Sequence, residues 1–225
     1  MSRKTVSVFL GLGWLVLLAL PLSLAPVAPA AAEPIRIVAL GDSLTAGFRL
    51  PAGATFPAKL EAALRARGHE VVIANAGVSG DTAGAGLARL DRSVPAGTDG
   101  VILELGANDG LRGVDPAIVE GTLDAILSRL AARRIPVLLT GMLVPPDRGL
   151  AYMARFQAIY PRLAQRHGVP LYRFFLSGVA AMPRLNLPDG LHPNAAGVDV
   201  IVARMLPTVE AWLATVGGAR SGREG

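Results

Sequence analysis

A serine, a histidine and an aspartate in this chain have the types and spacing that nucleophilic catalysis needs. Ser43 follows a strand-like apolar run in IVALGDSLTAGF, and Asp189 comes three residues before His192 in LPDGLHPN. A serine hydroxyl attacks a carbonyl only with the help of a base, and imidazole is the base best matched to neutral pH. A neighbouring carboxylate fixes the imidazole tautomer and stabilises the imidazolium that forms. These residues are therefore candidates for a serine nucleophile, its base and the orienting acid.

The histidine content makes this hypothesis specific. The chain contains three histidines, His69, His167 and His192. The first two each stand just before a strand-like run, so we expect them at the amino ends of strands, away from His192. Only His192 has a carboxylate close by in a loop. Pro193 suits the first turn of the helix that follows and would fix the direction of His192.

Other polar groups that follow strand-like runs could stabilise an oxyanion. They are the backbone N–H groups of Ser43 and Gly80 and the side-chain amide of Asn108. Gly80 has no side chain, so the backbone there can approach a ligand closely. Each residue also has a purely structural interpretation as a turn or helix cap, and for Asp42 we favour such a cap over a catalytic role.

The rest of the chain alternates short apolar runs with amphipathic segments. Val, Ile and Leu runs are typical of strands covered on both faces, and apolar residues three and four apart are typical of helices. This order predicts an α/β fold: a three-layer α/β/α, flavodoxin-like arrangement around a doubly wound parallel sheet of about five strands. Ligands bind such sheets at the carboxyl ends of the strands, where the polar residues above are found.

Length and patterning predict one domain. A chain of 225 residues that is 52% hydrophobic can bury one sizeable core. Residues 1–32 have the pattern of a signal peptide, with two basic residues before a long apolar run and cleavage after Ala30 or Ala32. An uncleaved membrane anchor is the alternative, although Pro21, Pro26 and Pro29 interrupt the run. We therefore expect an exported protein, periplasmic or secreted and without an obligate membrane span after cleavage, with a domain at 33–216 and a disordered tail at 217–225.

Composition excludes several functional classes. Without Arg3 and Lys4, 20 basic residues face 17 acidic ones, and the net charge of +5 becomes +3. No basic block occurs, so nucleic acid is not an expected partner. The absence of cysteine excludes disulfides and a thiol nucleophile, and neither a His-Glu-x-x-His string nor a phosphate-binding loop is present, so we expect no metal and no cofactor. A non-catalytic exported domain that binds a small molecule or lipid on the same fold stays open as an alternative.

Four sequence blocks resemble those of the GDSL, or SGNH, hydrolase family. They are GDSLTAGF, NAGVSGDTAGAGLARL, ELGANDGLRG and PDGLHPN, and they occur in the family's order between Ile35 and about Val216. The longer strings, with FQAIYPRLA, are similar to the family's bacterial TesA-type branch of arylesterases, thioesterases I and lysophospholipases.

This resemblance implies a role for each candidate. Ser43 would be the nucleophile, His192 the general base and then acid, and Asp189 its orienting partner. The oxyanion hole would consist of the Ser43 and Gly80 amides and the Asn108 side chain. The implied substrates are esters, thioesters or lysophospholipids, cleaved by a monomer that needs no cofactor.

The resemblance also implies two loops around the substrate. A segment from Asn108 to about Val114 would be mobile, and the loop MLVPPDRG would line the acyl side of the groove. The chain departs from the family at Ala107, where close relatives often carry glycine, and an alanine there could restrict the local backbone.

Overall fold

The structure is a computed structural model that describes residues 33–224 together with Met1, Ser2, Thr5 and Ser7. Apart from those four positions, the predicted signal peptide at 1–32 lies outside the described residues. The structural description that follows concerns residues 33–224.

Five parallel strands form one sheet at the centre of the molecule. They are β1 (Ile35–Gly41), β2 (Val71–Gly77), β3 (Gly100–Glu104), β4 (Val137–Thr140) and β5 (Leu171–Tyr172). Their order across the sheet is β2-β1-β3-β4-β5, with every pair parallel. This is the flavodoxin-like order, so the predicted doubly wound sheet of about five strands is confirmed.

Nine helices connect and cover these strands in the described part of the chain. They are α1 (Ser43–Ala46), α2 (Phe56–Arg65), α3 (Ala83–Ala88), α4 (Leu90–Ser93), α5 (Ala107–Arg112), α6 (Pro116–Ala132), α7 (Leu150–Gln157), α8 (Ile159–His167) and α9 (Ala195–Glu224). Single 3₁₀ turns lie at Ala52–Ala54, Pro146–Arg148 and Pro183–Leu185. Among the helices, α2 packs against α9, while α6 packs against α3 and α8. The result is the predicted three-layer α/β/α fold.

The apolar core of the molecule is built around the two buried strands β3 and β4. Every residue of β3 and β4 is buried, as expected for strands covered on both faces, whereas the edge strand β2 alternates between buried and exposed positions at its start. One continuous apolar cluster joins the sheet to the helices on either side, and it includes Phe56, Leu103, Phe156 and Trp212. This core gives the strand ends a rigid support.

The C-terminal helix α9 is longer than the sequence analysis predicted. It runs through Glu224, although a disordered tail was expected from residue 217. The Arg220 guanidinium donates hydrogen bonds to the carbonyls of Glu33 and Pro34, which ties this end of the helix to the start of β1. These contacts offset the low helix propensity of Gly217 and Gly218.

The part of α9 from Ala195 to Arg220 is also long and apolar enough to cross a membrane, by length and composition alone. In this fold its apolar residues pack into the core instead: Val198, Ile201, Val202, Met205, Leu206, Val209, Trp212, Leu213 and Val216 are all buried.

Candidate active site

The register of the sheet brings three loops together. Gly41, the last residue of β1, pairs with Gly77 at the end of β2 and with Glu104 at the end of β3. The loops that follow these strands therefore start at the same level. They carry the polar residues that the sequence analysis expected at this edge, including Ser43, Gly80 and Asn108.

Ser43 is the first residue of the short helix α1 and is largely buried. The preceding residue, Asp42, caps this helix because its Oδ1 accepts a hydrogen bond from the Leu44 amide at 2.9 Å. The structure thus agrees with the expectation that Asp42 acts as a cap. Gly77 allows α1 to lie directly on the end of β2, since a Cβ there would stand 2.2 Å from the Ala46 nitrogen.

A chain of two hydrogen bonds joins Ser43, His192 and Asp189. The Ser43 hydroxyl lies 2.9 Å from Nε2 of His192, and Nδ1 of His192 lies 2.9 Å from Oδ2 of Asp189. If Nδ1 carries the imidazole hydrogen, Nε2 faces the serine as a proton acceptor. This is the arrangement in which imidazole activates a serine and a carboxylate orients the imidazole.

The loop that carries His192 is held by backbone pairing. The Leu187 amide donates to the His192 carbonyl at 2.7 Å, and the Asn194 amide donates to the Leu185 carbonyl at 3.0 Å. The prediction that Pro193 lies in the first turn of the next helix is wrong: α9 begins at Ala195, and Asn194 caps it by accepting from the Gly197 amide. Pro193 instead pairs with Asn186 in an isolated antiparallel bridge. The direction of His192 is therefore fixed by this pairing.

Asp189 is held as a carboxylate. Its Oδ1 accepts hydrogen bonds from the backbone amides of His192 at 3.0 Å and Leu191 at 2.9 Å. These amides, more than the imidazole itself, lower the pKa of Asp189 to about 2. Asp189 therefore stays negatively charged at any pH at which the neutral imidazole could act as a base.

The outer side of His192 is covered by an aromatic ring that the sequence analysis missed. The rings of Phe48 and His192 are tilted by 35° with centroids 4.4 Å apart, and the Arg49 guanidinium carbon lies 5.0 Å from the Phe48 ring centroid. Phe48 ends the same sequence block as Ser43. Nothing in its type or position separated it from an ordinary core aromatic, so no sequence signal was available.

Asn108, a predicted oxyanion donor, has both hydrogens of its amide engaged. Its Nδ2 donates to Oδ2 of Asp42 at 3.1 Å and to the carbonyl of Asp81 at 3.0 Å. Asn108 and Ser43 line the same cavity. Positive φ falls on Gly106 and not on Ala107, so the alanine that departs from the family pattern leaves the backbone unstrained.

Gly80 lies in the loop after β2 and is exposed. Its φ of 86° requires the left-handed region, which explains the glycine directly. Among residues 33–224, neither the Gly80 amide nor the Ser43 amide donates a hydrogen bond to a protein acceptor. Both N–H groups are therefore available, but Gly80 does not line the cavity that holds Ser43 and Asn108.

A buried arginine, which the sequence analysis did not identify, connects the Gly80 loop to the Ser43 loop. Arg89 is only 5% exposed. Its Nε donates to Asp81 at 2.6 Å and one Nη donates to the Gly41 carbonyl at 2.9 Å. A planar guanidinium has enough donors in fixed directions to satisfy both loops at once.

Two carboxyl groups are buried beneath Ser43. Oε2 of Glu104 accepts from the Asp42 amide at 3.2 Å and from the Thr45 hydroxyl at 2.7 Å. Asp42 and Glu104 are both fully buried. Burial raises the pKa of Asp42 to about 6, and burial together with the charge of Asp42 raises the pKa of Glu104 well above its usual range.

The Ser43 hydroxyl opens onto an apolar cavity of about 560 Å³. Its walls come from α5, from the loop after β4 and from the segment after β5. They are lined by Leu44, Ala107, Leu111, Met142, Leu143, Val144, Pro145, Phe174, Leu176, Ala180, Ala181 and Leu191, beside Asp42, Ser43, Asn108, Gly190 and His192. The first half of the MLVPPDRG loop thus lies where an acyl-side wall was expected.

The other two histidines lie away from this site. His69 precedes β2 and contacts Glu210 at 3.2 Å, while His167 ends α8 and contacts Asp124 at 2.8 Å. Both stand at the amino ends of strands, as predicted. Within the described residues, no group of three or more histidine or acidic side chains is arranged to hold a metal ion.

Comparison with known proteins gives a consistent result. The model of the GDSL-like lipase/acylhydrolase family matches residues 39–200. An arylesterase of Vibrio mimicus is 41% identical over 160 residues, which is 71% of this chain and 80% of the relative. The thioesterase 1/protease 1/lysophospholipase L1 of Escherichia coli K12 is 42% identical over 166 residues, covering 73% and 77% of the two chains. The solved structure of AlinE4, an SGNH-hydrolase family esterase, superimposes with a TM-score of 0.69 at 44% identity, over 81% of this chain and 98% of that one.

Replacement of Asp189 by asparagine tests the hydrogen-bond chain. Asparagine keeps the shape of the side chain, but it no longer provides the charge that orients and stabilises the imidazole. We expect kcat for an ester to fall by roughly 10³ to 10⁴-fold, measured in steady-state assays with a chromogenic ester. Asp91, which is 78% exposed at its side chain, provides the matched control Asp91→Asn. Equal activity of the two variants would contradict the role of Asp189.

Proposed function

Since the chain belongs to the GDSL-like lipase/acylhydrolase family and is an ester hydrolase, we propose that it cleaves carboxylic esters and thioesters through an acyl-enzyme on Ser43. The observation that carries the proposal is the hydrogen-bond chain from Ser43 through His192 to Asp189, which opens onto an apolar cavity. A pure binding domain, the alternative considered from the sequence, would have no need for these two hydrogen bonds between a serine, a histidine and an aspartate.

The chemistry follows from the positions of the three side chains. Nε2 of His192 takes the hydroxyl proton as Ser43 attacks the substrate carbonyl, and the charge of Asp189 stabilises the imidazolium. The imidazolium then gives its proton to the leaving alcohol or thiol, and the acyl group stays on Ser43 as an ester. Water, activated by the same imidazole, attacks this ester, and the acid is released as the serine recovers its proton.

The oxyanion of each tetrahedral intermediate needs donors, and we propose the Ser43 amide, the Gly80 amide and the Asn108 side chain. Within the described part of the chain, the first two donate to no protein acceptor. For Asn108, the hydrogen bond to the Asp81 carbonyl must be exchanged for one to the oxyanion, while the hydrogen bond to Asp42 holds the amide in place. Arg112 donates to the Gly80 carbonyl at 3.0 Å, so movement of α5 also bears on the Gly80 loop.

The cavity supports a substrate with an apolar acyl chain. A pocket of about 560 Å³ lies within the usual range for small-molecule sites, and its walls are almost entirely aliphatic or aromatic. Leu111, Leu143 and Leu191 line it and are partly exposed at its mouth. We therefore propose esters, thioesters and lysophospholipids with medium to long acyl chains as the substrates.

We also propose that residues 1–32 direct export of the protein. The support is the sequence itself, with Arg3 and Lys4 before the apolar run and small residues at 30–32. Protein recovered from outside the cytoplasm should begin at Ala31 or Glu33 when its amino terminus is sequenced. An intact Met1 on protein in the membrane fraction would favour the anchor, and intact soluble protein in the cytoplasm would contradict export.

Hydrolysis of a p-nitrophenyl ester series, from acetate to long acyl chains, tests the proposed chemistry. We expect turnover by the protein from Glu33 onward and none above background by Ser43→Ala, because only the hydroxyl can carry the acyl group. A burst of p-nitrophenol, one per active site, would report the acyl-enzyme when its hydrolysis is rate-limiting. Turnover by Ser43→Ala equal to that of the wild type would remove Ser43 from the mechanism.

The substitution Ala180→Phe tests the cavity as the acyl site. Ala180 lines the cavity, so the larger ring takes up space there without touching the hydrogen-bond chain. We expect the kcat/KM ratio of octanoate to acetate esters to fall by about tenfold, the equivalent of two buried methylene groups at about 0.8 kcal/mol each. Ala131→Phe, on the exposed face of α6, is the matched control. An unchanged ratio would place the acyl chain elsewhere.

A further inference from the structure

Asp42 and Glu104 form a buried acid pair below Ser43. The carboxyl groups of this pair take no part in the hydrogen bonds that join Ser43, His192 and Asp189. Glu104 contacts the residues on both sides of Ser43, since its Oε2 accepts from the Asp42 amide and from the Thr45 hydroxyl. It fits there because Gly41 has no side chain: a Cβ at Gly41 would stand 2.5 Å from Oε2 of Glu104. A buried carboxyl group with no contact to substrate needs a physical explanation.

The hydrogen-bond donors around the pair are unevenly distributed. Each oxygen of Asp42 has a donor, the Leu44 amide on Oδ1 and the Asn108 amide on Oδ2. For Glu104, both donors converge on Oε2, and Oε1 is buried with no donor among the described residues. Oε1 is thus the one oxygen of the pair on which a proton would displace no existing hydrogen bond.

The two carboxyl groups also interact with each other. Both side chains are fully buried, and the Asp42 amide donates to Oε2 of Glu104 at 3.2 Å, so the two carboxyl groups are buried next to each other. Two carboxylates buried side by side cannot both be ionised at ordinary cost, so the pair holds one proton near neutral pH. The donor pattern assigns that proton to Glu104 and leaves Asp42 as the acceptor.

We propose that Glu104 is a positioning residue that stays protonated and donates its carboxyl hydrogen to Asp42. Asp42 then remains a carboxylate, caps α1 beneath Ser43 and holds one hydrogen of the Asn108 amide. The part of this inference that concerns catalysis rests on the proposed roles of Ser43 and Asn108. The part that concerns the location of the proton is independent of them.

If the proton is on Glu104, the two acids differ in the substitutions that they tolerate: Glu104 can be replaced by its amide, and Asp42 cannot. Glutamine at 104 reproduces a protonated glutamate, with its oxygen for the Asp42 amide and Thr45 and its N–H for the Asp42 carboxylate. Asparagine at 42 would turn an N–H toward the Asn108 amide, donor against donor. We therefore expect E104Q to retain most of the wild-type kcat, and D42N and E104L each to lower kcat by about a hundredfold with little change in KM.

Circular dichroism and thermal midpoints must first establish that each variant is folded. If E104L has a low kcat and E104Q has a kcat near that of the wild type, Glu104 acts through its hydrogen bonds. A role in packing alone would not make kcat depend on the hydrogen-bonding groups of the side chain. Loss of activity in E104Q as severe as in D42N would overturn the proposal, and so would full activity in D42N.

Infrared spectroscopy detects the proton on the Glu104 carboxyl group without an activity measurement. At neutral pH the folded protein should show the C=O stretch of a protonated carboxyl group. The band should shift when glutamate side chains are labelled with ¹³C, and E104Q should lack it. Absence of the band, or a band that the glutamate label does not shift, would overturn the proposal. Because this readout needs no turnover, it stays valid if Ser43→Ala proves fully active and the proposed function fails.

Discussion

The parallel register of β1 with its two neighbours is the constraint on which the site depends. Gly41 is level with Gly77 and Glu104, so three strands end at the same height. Ser43 lies within two residues of such an end, and Asn108 and Gly80 within four. A slip by one residue would move the Ser43 loop by about 3.3 Å relative to the loops that carry Gly80 and Asn108. The apolar core that fixes the register therefore also fixes the geometry of the chemistry.

Buried polar contacts connect the neighbouring loops that follow β1, β2 and β3. Arg89 joins the Gly80 loop to the end of β1, and Asp42 joins the nucleophile loop to Asn108. Buried charges contribute little net stability, because removing them from water costs about as much as their pairing returns. Their effect here is on position: each contact admits a narrow range of distances, so neighbouring loops cannot move independently. Residues of α5 and of the loop after β4 line the cavity beside these contacts.

Much of the fold and part of the site could be predicted from the sequence. The strands are continuous apolar runs, and polar residues just after them mark the ligand edge of any parallel sheet. His192 was identifiable because histidines are few and only this one has a carboxylate three residues away. Glu104 and Arg89 were not identifiable. Their importance comes from burial and from partners that are 59 to 62 and 8 to 48 residues away, respectively. The first turn of α9 was misplaced because Pro193 pairs with Asn186, seven residues earlier, in a bridge between two loop positions that helix rules do not anticipate.

The hydrogen bond between Ser43 and His192 spans 149 residues of sequence, and the histidine sits just before the final helix. Non-local contacts of this kind form slowly, because the entropy of loop closure is lost before the contact is made. Almost the entire domain must therefore be in place before Ser43 meets His192, its proposed base. By the proposed mechanism, a chain that is still being synthesised or held unfolded would be inert toward esters, and hydrolysis would begin only once the last helix has docked.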